Sequence, residues 1–289
     1  MARWRPEWLN RMYDARAAVP QHPLHLARWA EASEDARLAH PCVLDVPYGE
    51  HPSERLDVFA ADQPGAPVVV FIHGGYWRAL DKADHSFLAV PFRNAGACVF
   101  LPNYALCPAV TIPDIVLQLV RALAWIPRHA AEFGGDGRRL TVVGHSAGGH
   151  LAAMMLACRW RQWDRTLPAT LVRGAMAISG LFDLEPLRHA PFIRDTLRLT
   201  PEDVARASPA WLPAPPRGRL FAVVGGDESP EFRRQTELLR AVWGARAVPV
   251  CETIPGCHHF SVLEELSLPG TRVHQLAMGL VFGPRGHRV

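Results

Sequence analysis

The chain has 289 residues, 49% of them hydrophobic, and a formal net charge of +3. This is enough apolar material for one large core, which excludes a disordered chain. Its cations, arginines apart from Lys82, are spread rather than blocked, which excludes a phosphate-tracking surface for nucleic acid.

No uninterrupted apolar run approaches the roughly 18 residues of a membrane span. The opening "MARWRPEWLN" is broken by Pro6 and Glu7 where a signal peptide needs apolar residues. The six cysteines are scattered without a CxxC pair, so reduced thiols in a cytoplasmic protein are expected.

In chain order, the first 40 residues predict polar-faced helical pieces interrupted by "VPQHP". Two alternating segments, "CVLDVPY" (42–48) and "ERLDVFA" (54–60), predict antiparallel edge strands. "PVVVFIHGG" (67–75) is continuous and β-branched, as a strand buried on both faces should be. The same type recurs at 96–104, 138–146, 172–179 and 218–226, with a weaker candidate at 247–254. Between them, 111–126 carries an apolar stripe of Ile112, Ile115, Val116, Leu119, Val120 and Leu123. Thr111 with Asp114 forms a capping box there, and Pro113 suits the first turn. A second amphipathic helix is expected at 230–244, stopped by Gly244.

Alternating buried strands and helices predict one α/β domain over 1–289, with a mostly parallel sheet and helices on both faces. Two parts stand outside that rhythm: the N-terminal helical segment 1–40 and the proline-rich stretch 181–217. The latter is expected as a cap or lid at the strand ends.

Chemistry concentrates at "TVVGHSAGGHL" (141–151), where Gly144-His145-Ser146-Ala147-Gly148 fits G-x-S-x-G between a strand and a helix. A turn this tight strains its central residue and needs small neighbours, and it lifts the Ser146 hydroxyl above the sheet edge. A serine nucleophile needs a base and an anion to orient that base, following it in the order acid, then histidine. Asp227 and Glu228 end one strand, and both remain candidates for the acid. Of the fourteen histidines, His258 and His259 follow the last expected strand. His259 is preferred because Phe260, Val262 and Leu263 anchor a helix directly behind it, and His258 is the fallback. The oxyanion of acyl transfer needs backbone N–H donors. Ala147 supplies one; the loop "FIHGGYWR" (71–78), with Gly74 and Gly75 after a buried strand, supplies others.

"HGGYW", "NYAL", "GHSAGGHL", "SGLFDLEPL" and "ESPEFRRQ" together resemble the kynurenine formamidase branch of the α/β-hydrolases. That branch neighbours the hormone-sensitive-lipase-like esterases. The resemblance runs from about Tyr13 to about Leu266. It implies a sheet of about eight strands, no metal and no organic cofactor. It places the triad acid directly before the S-P-E-F stretch, at Glu228, with Asp227 as the alternative. It implies an aromatic substrate pocket shaped by Tyr76, Trp77 and Tyr104.

The expected activity is therefore hydrolysis of an N-formyl arylamine or of a small carboxylic or aryl ester, with general carboxylesterase action as the alternative. A catalytically silent hydrolase fold is a third reading, opposed by the intact nucleophile, base, acid and both oxyanion loops. His145 and His150 do not have the H-E-x-x-H spacing of a metallohydrolase. The expected partner is a small ester or amide, with no nucleic acid and no membrane; a homodimer is compatible with the sequence.

Overall fold

The structure, a computed structural model, describes residues 5–283. Strands β1 (Cys42–Pro47), β2 (Arg55–Phe59), β3 (Ala66–Ile72) and β4 (Cys98–Pro102) come before the G-x-S-x-G turn. With β5 (Gly135–His145), β6 (Val172–Ile178), β7 (Arg219–Gly225) and β8 (Val250–Ile254) they form an 8-stranded sheet in the order β1-β2-β4-β3-β5-β6-β7-β8. β2 runs antiparallel to β1 and β4, whereas β3 to β8 are mutually parallel. This is the mixed sheet that the two alternating segments and the later continuous runs predict.

Helices cover both faces. α1 (Pro6–Tyr13), α2 (Ala15–Ala18) and α3 (His22–Ala39) make up the N-terminal segment. α4 (Ala89–Asn94), α5 (Ile112–His129), α6 (Ala147–Ala157) and α7 (Trp160–Trp163) are followed by short α8 (Arg194–Leu197) and α9 (Pro201–Ala207). α10 (Pro230–Ala247), α11 (Ser261–Ser267) and α12 (Arg272–Phe282) close the fold.

The continuous apolar reading of β3 has a direct structural cause. Every residue of the strand is buried, and successive side chains enter opposite cores. Val68, Val70 and Ile72 pack with α5, α6 and α10; Val69 and Phe71 pack with α4, α11 and α12. The Thr111–Asp114 capping box is present, with Asp114 Oδ2 accepting from Thr111 N at 2.9 Å. α10 is broken at Gly244 (φ 79°), where the sequence expects its stop, and then resumes a helical turn to Ala247.

Residues 181–217 are placed differently from the expected lid. Leu181, Phe182, Leu184, Leu187, Ile193 and Val204 are spent in the core on the α5 side of the sheet. The segment is thus a packed flank. It reaches the strand ends through Phe192, whose ring meets Tyr76 edge-on at 5.4 Å. All six cysteines are free. No helix among the described residues is long and apolar enough to cross a membrane.

Candidate active site

Because β3 and β5 to β8 are parallel, their C-terminal ends share one edge, where open α/β sheets carry their sites. Ser146 stands there between β5 and α6 with φ 55° and ψ −117°, a left-handed φ that a non-glycine residue holds only under local strain. The flanking glycines make the turn possible. A Cβ on Gly144 would lie 2.1 Å from the Gly148 carbonyl oxygen, and one on Gly148 would lie 2.0 Å from the Ile72 carbonyl oxygen. α6 therefore crosses β5 and β3 at backbone contact. Gly148→Ala is expected to lower stability by about 3 kcal/mol, read as a fall in thermal unfolding midpoint. An unchanged midpoint would disprove the contact.

The candidate acid and base come from the turns after β7 and β8. Asp227 N donates to the Cys257 carbonyl at 3.0 Å and Gly226 N to the Ile254 carbonyl at 2.7 Å, which locks the two turns together. Of the two candidate acids, Glu228 is the one that meets the imidazole: its Oε2 accepts from His259 Nδ1 at 2.6 Å. Its Oε1 accepts from Gly225 N at 2.8 Å and from Ser179 Oγ at 2.5 Å, so the carboxylate is buried but fully bonded. Asp227, by contrast, is exposed. His258 Nδ1 accepts from the N–H groups of Phe260 and Ser261, both at 3.2 Å, at the start of α11. It faces away into the neighbouring chamber and packs edge-on against His25.

The loop after β3 is the second half of the site. Gly75 (φ 100°), Tyr76 (φ 52°) and Trp77 (φ 55°) wind left-handed in succession. A Cβ on Gly75 would strike the Ala79 carbonyl at 2.0 Å. Gly74 lies beside Ser146: a Cβ there would stand 3.3 Å from Ser146 Cβ. Among the described residues, no hydrogen bond engages the N–H of Gly75 or of Ala147. The three aromatics divide. Tyr76 lines the cleft at Ser146, and its hydroxyl donates to the Tyr13 carbonyl. Trp77 is fully buried and packs edge-on against His150 at 5.0 Å. Tyr104 lies beneath the loop, stacked on His73 at 4.3 Å and donating to the His73 carbonyl at 2.8 Å. The last two hold the loop from behind.

A family model for the alpha/beta hydrolase fold matches residues 69–238, a span that contains the Ser146 turn, the glycine loop and Glu228. The chain belongs to the α/β-hydrolase family. Kynurenine formamidase of Danio rerio is 33% identical over 84% of this chain and 83% of its own length. Esterase LipC of Mycobacterium tuberculosis is 30% identical over 81% of this chain and 63% of its own length. A crystal structure from Silicibacter sp. TM1040, whose thioesterase label is provisional, superposes with a TM-score of 0.80 at 31% identity; the match covers 93% of this chain and 97% of that one.

Several parts of this α/β-hydrolase's site carry little signal in the sequence. Ser179 (φ 52°), the Glu228 partner, is marked only by a short apolar run ending in Ser-Gly. The wall facing Ser146 comes from the N-terminal helices. Ala15, Arg16, Leu26 and Trp29 line a narrow cleft of about 40 Å³ with Ser146 and His259. It adjoins a chamber of about 250 Å³ between α1–α2 and the Glu228 turn, the two sharing Ala15 and His259. Tyr13 Oη donates to Glu231 Oε2 at 2.6 Å and Trp29 Nε1 to Glu264 Oε1 at 3.1 Å, pinning this cap to α10 and α11.

His145, next to Ser146, donates from Nε2 to the His259 carbonyl at 2.8 Å, which ties the serine turn to the histidine turn. Burial, reinforced by His259, holds its imidazole well below the ordinary range, so it stays neutral. Burial also pushes His85 down to about 3 and His150 to about 4, and lowers His73. The folded hydrolase keeps these rings neutral, whereas the unfolded chain protonates them near pH 6.5. Their contribution is complete above that pH and is lost on acidification, at about 1.4 kcal/mol per pH unit for each histidine. The unfolding midpoint should therefore fall steadily from pH 7 to pH 5. A midpoint constant across that window would contradict neutral burial.

Proposed function

We propose that this chain is a serine hydrolase in which Ser146 is the nucleophile, His259 the general base and Glu228 the orienting acid. The observation that carries the reading is the Glu228–His259 pair at 2.6 Å, sharing a cleft with a strained, two-glycine-flanked serine. With Nδ1 engaged by Glu228, His259 has Nε2 to take the Ser146 proton as Oγ attacks a carbonyl carbon. The carbonyl oxygen becomes an oxyanion held by the N–H groups of Gly74, Gly75 and Ala147. Collapse expels the amine or alcohol with the proton returned from His259 Nε2. Water then repeats the sequence on the acyl-serine, releasing the acid and restoring Ser146.

The substrate we propose is an N-formyl arylamine, by likeness to a kynurenine formamidase over most of the chain. Small carboxylic or aryl esters are the second reading, favoured by the likeness to an esterase. The same machinery serves both, and the leaving group and pocket decide. The ratio of kcat/KM on N-formylkynurenine to that on a short p-nitrophenyl ester separates them: a value well above one supports the formamidase reading, and one well below supports the ester reading. Six free thiols fit action in the reducing cytoplasm.

A further inference from the structure

The cleft at Ser146 is apolar over most of its wall, with Leu26, Trp29, Leu80 and Phe260, yet it includes two cations and no carboxylate. Arg16 comes from α2 and Arg78 from the loop after β3, so separate parts of the chain deliver charge to one place. Both are half-buried. Among the described residues, Arg16 forms no ion pair or side-chain hydrogen bond. Among the described residues the Arg78 side chain has a single bond, Nη1 to the Phe192 carbonyl at 3.3 Å. Comparable arginines elsewhere are matched: Arg93 with Asp62 at 2.6 Å, Arg188 with Glu185 at 2.7 Å and Arg234 with Glu231 at 2.9 Å. A guanidinium drawn partly out of water against apolar walls gains most from an anion that its planar fork can grip. The adjoining chamber has the reverse balance, with three carboxylates, Asp14, Asp227 and Glu228, against one guanidinium, Arg11. That charge balance favours the cleft over the chamber for an anionic group.

We infer that Arg16 and Arg78 together bind a carboxylate on the substrate, so that this enzyme acts on amphipathic anions: an aromatic or apolar body bearing one carboxylate close to the scissile acyl bond. The inference rests on the proposed hydrolysis and names its substrate class. It also assigns the N-terminal cap a role in selection, since Arg16 lies outside the sheet that carries the reaction.

The test compares phenyl acetate with 3-carboxyphenyl acetate, which differ only in the carboxylate, on the wild type, R16A, R78A and the double variant. The wild type should favour the carboxylated ester in kcat/KM by about tenfold to hundredfold, the range of a charge-assisted hydrogen-bonded pair. The ratio should collapse toward one in the double variant, and rising salt should erode it in the wild type. A wild-type ratio of one, or a ratio kept by the double variant, overturns the inference. A second measurement does not depend on turnover. Calorimetric titration of S146A with phenylacetate and with neutral phenylacetamide should show tighter binding of the anion, lost when Arg16 and Arg78 are also replaced. If neither ester is cleaved but that preference holds, the hydrolase reading fails and the anion site stands. If both esters are cleaved equally and neither ligand is preferred, the hydrolase reading stands and the anion site fails.

Discussion

Replacing Ser146 by alanine is expected to lower kcat by about 10⁴- to 10⁶-fold while leaving the fold intact. The substitution deletes one oxygen at the mouth of a cleft and fills no space. The strain at φ 55° is set by the glycine contacts around the turn, and alanine bears it as serine does. Residual turnover should reflect only the oxyanion donors and binding. The check pairs ester and formamide turnover with a thermal unfolding curve. An organophosphonate should label the wild type at Ser146 alone. Labelling at Ser179 or Ser229, or near-normal turnover by S146A, would remove the nucleophile from this account.

Glu228→Gln should cost about 10⁴-fold in kcat, and the geometry says how. Glu228 Oε1 accepts from Gly225 N at 2.8 Å and from Ser179, so the carbonyl oxygen of a glutamine must stay on that side. Its NH₂ group then faces His259 Nδ1, where Glu228 Oε2 now accepts at 2.6 Å. An amide can only donate there, which forces Nδ1 to accept and puts the imidazole proton on Nε2. The base then faces Ser146 already protonated. Asp227→Asn alters an exposed side chain and should change kcat by no more than a few fold. A larger loss in D227N than in E228Q would exchange the two carboxylates in the mechanism.

Much of this arrangement was legible in the residues. The β-branched runs read as two-sided strands because β3 does feed a separate core with each alternate side chain. The Gly144–Gly148 frame read as a tight turn because backbone contact leaves no room for a Cβ. Asp227 and Glu228 could not be separated by spacing, since both end the same strand. What divides them is the direction each side chain leaves the turn, fixed by hydrogen bonds to Ile254 and Cys257 far along the chain. Residues 181–217 read as a lid because their prolines break the strand–helix rhythm. Their apolar side chains, however, find partners in the core against α5. The true cover carries a weaker signal: α1 to α3 read as polar-faced helices, and only long-range pairs such as Trp29 with Glu264 seat them over Ser146.

That seating divides labour along the chain. The groups proposed to react hang from the sheet edge between residues 73 and 259, while positions 15 to 29 supply one wall of the cleft. Exchanging the leading helices between members of such a family is thus a route to redirecting substrate choice without disturbing the machinery beneath. For this chain, evolution or an engineer could retune what enters by editing a few dozen residues that never touch the scissile bond.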